Sequence, residues 1–86
     1  MSRPTPPEDW VIARRRQVGA QIRSVREGLN LSQRDVGGRS GVDVPTYSRI
    51  ESGLSSPKID TLIRIAAAMG VSLEDLVRRP RSASSD

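Results

Sequence analysis

Residues that start and stop helices divide this chain into short segments. Ser32, Asp43 and Ser72 are good N-caps, because a short side-chain oxygen accepts a hydrogen bond from the first turn of a helix. Glycines at 41, 53 and 70 are suited to ending helices, since glycine readily adopts the left-handed conformation. No stretch alternates with the two-residue period of a strand. The sequence therefore predicts an all-α domain of five helices joined by short connections.

The spacing of apolar residues places these helices. Helices 1, 2, 3 and 5 are predicted over about 9–27, 33–39, 44–52 and 73–78. Helix 4 is predicted to open at Ser56-Pro57, because proline suits the first helical position. Its predicted buried stripe is Ile59, Leu62, Ile63, Ala66 and Met69. Gly37 and Gly38 lie inside helix 2, where glycine costs about 1 kcal/mol relative to alanine, so we expect another backbone to approach them.

Composition excludes several classes of site. The chain contains neither cysteine nor histidine, which excludes disulfides, thiolate metal sites, the common zinc sites and a histidine general base. A chain of 86 residues also has little surface to spare for a deep active site. We therefore expect no enzyme, no metal and no cofactor.

Charge favours a nucleic-acid partner without proving one. The net charge is +4, and Lys58 is the only lysine among fourteen basic residues. Arginine pairs through two donors with phosphates and guanine edges. The longest apolar run, 65–69, is too short to span a membrane, and the polar first ten residues do not resemble a signal peptide. We expect a cytoplasmic protein, associated with the nucleoid when bound to DNA.

Helix 3 has two contrasting sides when drawn at about 100° per residue. Tyr47, Ile50 and Leu54 cluster on the side predicted to face the core. The other side carries small or compact groups and one long donor, namely Pro45, Ser48, Arg49 and Ser52, with Val44 at its flank. Short side chains let a helix enter a DNA groove, arginine can pair with guanine, and valine or proline can pack on a thymine methyl.

Several linked motifs occur in order along the chain: Ser32-Gln33, Ser40-Gly41-Val42, Ser48 to Glu51, Gly53, Pro57, Thr61-Leu62 and Ala66 to Val71. In this order and spacing, the stretch from about Val18 to Val77 resembles the Xre family, the Cro and phage-repressor type of helix-turn-helix. The resemblance implies a compact five-helix, lambda-repressor-like DNA-binding domain. We place it at 9–79, with a flexible arm at 1–8 and a disordered tail at 80–86.

The resemblance also implies residue roles. Gln33 would lie at the start of helix 2 against a phosphate and steady a base-contacting side chain, and Glu51 would pair with Arg26 as scaffold. The positions implied to read bases are Val44, Pro45, Ser48 and Arg49. Those implied near the DNA backbone are Thr46 and Ser52, with Lys58 near the minor groove. Val44 and Pro45 depart from the family, which often has glutamine or another polar residue there.

The function implied is a sequence-specific transcriptional regulator, a homodimeric repressor reading double-stranded DNA with helix 3. The alternative is an antitoxin-like or adaptor protein whose main role is binding a protein partner. Trp10 is predicted either to cover the core or to form a dimer contact, and the leucines of helix 5 are a candidate dimer surface. The run 14–16 is either a solvated arginine face or a set of contacts to phosphates or to an acidic partner.

Overall fold

The computed structural model describes residues 8–79, and its regular structure is entirely helical over this range. Its helices are α1 (Asp9–Gly28), α2 (Gln33–Ser40), α3 (Val44–Glu51), α4 (Ile59–Met69) and α5 (Leu73–Val77). The predicted all-α, five-helix architecture is confirmed. The predicted arm, apart from Glu8, and the predicted tail lie outside the described residues. Within 8–79, every helix is too short or too polar to cross a membrane.

Reciprocal caps start α2 and α5. The Ser32 hydroxyl accepts from the Asp35 amide at 2.9 Å, while the Asp35 carboxylate accepts from the Ser32 amide at 2.8 Å. Ser72 and Asp75 form the same pair of bonds, at 3.2 and 3.0 Å, which confirms Ser72 as the predicted N-cap. Hydrogen bonds from the serine amide and hydroxyl lower the pKa of each aspartate. The boundaries of these helices are thus encoded locally.

The start of α4 differs from the prediction. Pro57 lies outside the helix, and the N-cap is Lys58, whose extended backbone makes no side-chain capping bond. The helix begins instead at Ile59, with Asp60 in its first turn, where a negative charge favours the positive end of the helix dipole. A proline marks a helix start only approximately when no side-chain cap fixes the boundary.

The buried side of α4 also differs from the prediction. Leu62, Ala66 and Met69 are buried as expected, but Ile65 is fully buried, whereas Ile59 is 58% and Ile63 50% exposed. Apolar residues cover so much of this helix that two overlapping stripes both satisfy the three-and-four spacing. Packing against α2 and α5 selects one stripe and leaves the other in solvent.

The core draws on every helix. Its buried apolar residues are Ile22, Val36, Tyr47, Ile50, Leu62, Ile65, Ala66, Met69 and Leu76. Leu76 is fully buried, and Leu73 and Val77 pack against the core. The apolar face of α5 therefore lies mainly inside the domain. Leu54 is 63% exposed rather than packed beside Tyr47, because α3 ends at Glu51 and the helical wheel no longer applies beyond it.

Two glycines permit close backbone contacts. A Cβ atom on Gly19 would lie 2.5 Å from the carbonyl oxygens of Ile50 and Glu51, so α1 crosses directly over the end of α3. A Cβ on Gly37 would lie 2.9 Å from the Val42 carbonyl oxygen, which confirms the expected approach there. The same expectation is wrong for Gly38, which faces open space. The sequence pattern did not single out Gly19.

Candidate nucleic-acid interface

The α2–turn–α3 unit holds α3 at the protein surface. Gly41 ends α2 in the left-handed conformation, with φ of 78°, and the close contact at Gly37 packs the turn against α2. Asp43 then caps α3 by accepting from the Thr46 amide at 3.1 Å and the Thr46 hydroxyl at 2.8 Å. These bonds lower the pKa of Asp43. The turn therefore fixes the direction in which α3 leaves α2.

The outward side of α3 assembles the residues predicted to contact DNA. Tyr47, Ile50 and Glu51 are buried, which fixes the rotation of the helix. On the opposite side Ser48 is partly buried, and the exposed residues are Val44, Pro45, Thr46, Arg49 and Ser52. The Thr46 hydroxyl is engaged with Asp43, so its proton already serves the N-cap. The remaining surface is compact and carries one long cationic side chain.

A buried ion pair fastens α3 to α1. The Arg26 Nε donates to Glu51 Oε2 at 2.7 Å, and Nη2 donates to Oε1 at 3.1 Å. A third bond joins Arg26 Nη1 to the Leu31 carbonyl oxygen at 2.8 Å. The two side chains are only 11% and 3% exposed. The pairing implied by the resemblance is confirmed, and it belongs to the scaffold.

Gln33 extends this network from α2. Its Nε2 donates to Glu51 Oε1 at 2.9 Å, so the side chain steadies the carboxylate at the end of α3 rather than Arg49 or Ser48. The start of α2, the end of α3 and α1 therefore meet at one buried carboxylate. Movement of α3 relative to α2 would break these charge-assisted bonds, which are the stronger class of hydrogen bond.

Ionisation of the network follows from these contacts. Burial disfavours the charged form of Glu51, but the bonds from Arg26 and Gln33 outweigh it, and the pKa of Glu51 lies below its ordinary value. The hydrogen bond to Glu51 raises the pKa of Arg26. Burial, together with the neighbouring carboxylate, raises the pKa of Tyr47. The pair is therefore ionised at neutral pH.

The N-terminus of α2 presents free donors. The capping box occupies the amides of Ser32 and Asp35, but within residues 8–79 no acceptor is bonded to the amides of Gln33 and Arg34. Free amides at a helix start bind phosphate well. Arg34 is exposed beside them and adds a positive charge that the sequence prediction missed. The position of Arg34 in the first turn of α2, next to Gln33, could have indicated this role from the sequence.

The remaining cations divide into free and engaged groups. Arg49 and Lys58 are exposed and form no ion pair within the described range. In contrast, Arg14 donates to the Val77 carbonyl oxygen, and Arg15 donates to that of Gly53 at 2.9 Å. Those two arginines therefore tie α1 to the rest of the domain, and Arg16 is the one exposed residue of that run.

Trp10 does not cover the core. It is 69% exposed, and its indole Nε1 donates to Glu8 at 2.6 Å. The first of the two predicted roles for Trp10 is therefore wrong, and its ring remains available at the surface.

Comparison with known proteins agrees with this geometry. Residues 22–76 match the helix-turn-helix family model. An uncharacterized HTH-type transcriptional regulator of Mycobacterium tuberculosis is 46% identical over 61 residues, covering 71% of this chain and 44% of that protein. The transcriptional repressor RstR of cryptic phage CTXphi from Vibrio cholerae is 36% identical over 58 residues, covering 67% of this chain and 52% of that protein. The chain thus spans about half the length of these relatives or less.

A solved structure shares the fold. The hypothetical transcription factor NHTF from Neisseria superimposes with a TM-score of 0.72 at 25% identity, covering 92% of this chain and 90% of that one. The likeness therefore extends over most of both chains. The chain therefore belongs to the helix-turn-helix family.

Proposed function

We propose that this protein is a sequence-specific DNA-binding transcriptional regulator that acts as a homodimer and reads the major groove with α3. The observation that carries the proposal is the exposed side of α3, compact except for Arg49, on a helix that the buried Arg26–Glu51 pair holds in place. Side chains that read base edges need such a rigid support, because small displacements break hydrogen bonds.

Arg49 is proposed to pair with the O6 and N7 atoms of a guanine, the commonest specific contact of an arginine in the major groove. Val44 and Pro45 are proposed to pack on thymine methyl groups, and Ser48 to bond a neighbouring base edge. Recognition at Val44 and Pro45 then depends on shape and apolar contact rather than on hydrogen bonds.

Phosphate contacts are proposed for the free amides at the start of α2, with Gln33 and Arg34, and for Thr46 and Ser52 at the two ends of α3. Lys58 is proposed to lie near the minor groove. The Thr46 contact requires its hydroxyl to turn away from Asp43. These contacts set register on the duplex, since they carry no sequence information.

A dimer is proposed because α3 is short. Eight residues rise about 12 Å, which spans only three to four base pairs, so a single α3 reads too little sequence to select an operator. Two copies related by a twofold axis read half-sites about 34–36 Å apart. A bound dimer would repress by blocking access to a promoter, and the likeness to a phage repressor supports this outcome.

The test compares two arginines with equal effect on net charge. Arg49→Ala is expected to cost about 1–3 kcal/mol on the best site and to relax preference at one base pair. Arg23→Ala, which removes an exposed arginine of α1 paired with Glu27, serves as the matched control and should leave the preferred sequence unchanged. Arg49→Lys should also lose preference, because lysine has no bidentate fork. Equal losses for Arg49→Ala and Arg23→Ala would contradict the role of α3.

A further inference from the structure

An apolar groove lies beside the segment that leaves α3. It has a volume of about 430 Å³, and its apolar lining includes Trp10, Val18, Pro57, Leu62 and Val77. Arg14 and Arg15 also line it, and each donates one hydrogen bond to a backbone carbonyl oxygen. The groove therefore presents mainly hydrocarbon, with the exposed indole of Trp10 among its lining residues.

The apolar surface continues from the groove along α4. Leu62 lines the groove, while Ile59, three residues before it, and Ile63, beside it, are 58% and 50% exposed. Residues four apart share one face of a helix, so Ile59 and Ile63 form a stripe adjoining the groove. Isolated exposed apolar residues are ordinary, but a contiguous patch of them marks an interaction surface.

We propose that a second copy of this chain covers this surface, which comprises the groove and the Ile59–Ile63 stripe, and that this contact sets the separation of the two α3 helices. The inference rests on the proposed function. A twofold contact uses the same surface on both partners, so that surface must complement itself. This one offers protruding groups, Trp10 and the two isoleucines, next to a groove that can receive them. It also adjoins the connection after α3, where a twofold axis would bring two reading helices side by side.

Charged residues beside the stripe also allow the surface to complement a second copy of itself. Asp60 and Arg64 are exposed on α4, one turn apart, and neither forms an ion pair within residues 8–79. Two α4 helices that cross in opposite directions about a twofold axis place Asp60 of each copy against Arg64 of the other. Because the chain carries a net charge of +4, this pairing offsets repulsion between the copies. On α5 Leu76 is buried, and Leu73 and Val77 are only partly exposed, so this helix offers no exposed large apolar residue of its own and contributes Val77 through the groove.

The test is self-association of the full chain without DNA, measured by sedimentation equilibrium. We expect the wild type to dimerise and Ile63→Glu to raise the dissociation constant at least about tenfold. Leu29→Glu, which changes an exposed leucine at the end of α1 outside the surface, is the matched control and should not change it. Asp60→Arg should weaken the dimer, and the double variant Asp60→Arg, Arg64→Asp should restore it. Circular dichroism checks that each variant is folded.

Trp10 provides a second readout, because it is the only tryptophan. Its emission should move to shorter wavelength as the wild type is concentrated, and should stay constant for Ile63→Glu. A wild type that remains monomeric overturns the proposal, as does a dimer that tolerates both Ile63→Glu and Asp60→Arg. A monomeric wild type would also refute the homodimer of the proposed function, whereas a dimer that tolerates both substitutions would refute only this surface. Selection from random duplexes tests DNA reading separately, because a monomer that reads DNA would select a single half-site.

Discussion

Replacement of Glu51 by glutamine tests whether the buried ion pair holds α3 in place. Glu51→Gln keeps the size and one acceptor oxygen but removes the buried counter-charge of Arg26, whose side chain is 11% exposed. Removing one partner of a buried pair costs about 3–5 kcal/mol, and the retained acceptor favours the lower end. The loss would be a large share of total stability, which is about 0.05–0.15 kcal/mol per residue.

Glu27→Gln is the matched control. Glu27 lies 3.0 Å from Arg23 and 4.0 Å from Arg26, so it also faces the same arginine, but its side chain is 54% exposed, against 3% for Glu51. Exposed pairs on a helix contribute only about 0.3–0.5 kcal/mol. The two substitutions remove the same charge and differ chiefly in burial.

Thermal unfolding followed by circular dichroism provides the assay. At about 4–8 °C per kcal/mol for a domain of this size, Glu51→Gln should lower Tm by roughly 10–25 °C and Glu27→Gln by only a few degrees. The double variant Arg26→Met, Glu51→Leu should recover much of the loss, because a buried pair can be replaced by apolar groups of similar volume. Similar Tm values for Glu51→Gln and Glu27→Gln would refute the reasoning.

Three further predictions follow from particular contacts. Gly38→Ala should stabilise the domain by about 0.4–1 kcal/mol, since the added methyl group enters open space on a helix. Gly37→Ala should instead destabilise it by about 1–3 kcal/mol, because the methyl group would press on the Val42 carbonyl oxygen. Urea unfolding measures both changes in stability, and equal effects would contradict the packing. Folding lowers the pKa of Glu51, so its contribution to stability is complete above the pKa of the unfolded chain, about 4.3, and is lost as pH falls below it. Tm should therefore drop on acidification, and it should drop less in Glu51→Gln. Gln33→Ala should lower stability by about 1 kcal/mol and weaken binding to all DNA sequences to a similar degree; a loss confined to one base pair would instead make Gln33 a reading residue.

Helix boundaries were predictable where a side chain fixes them. Ser32, Asp43 and Ser72 each form the capping bond that their place in the sequence suggests. The start of α4 was misplaced because no side chain caps it, and Pro57 alone did not define it. A sequence therefore predicts the start of a helix reliably only where a side chain forms a capping hydrogen bond there.

Tertiary packing decided what periodicity could not. The apolar residues of α4 permit two buried stripes, and only contact with other helices shows that Ile65 is inside and Ile63 outside. The partner of Gln33 is eighteen residues away, and no pattern along the chain reveals that bond. The reading side of α3 was predictable because Tyr47 and Ile50 fix its rotation.

The most direct test of the central claim is selection of random duplexes by the purified protein, with the selected sequences titrated at two salt concentrations. Sequence reading by a homodimer predicts a shared twofold motif, with half-sites about 34–36 Å apart, bound about a thousandfold more tightly than random DNA. Binding without a shared motif, with a steep dependence on salt, would mean that only phosphates are contacted. That result would contradict sequence reading by α3.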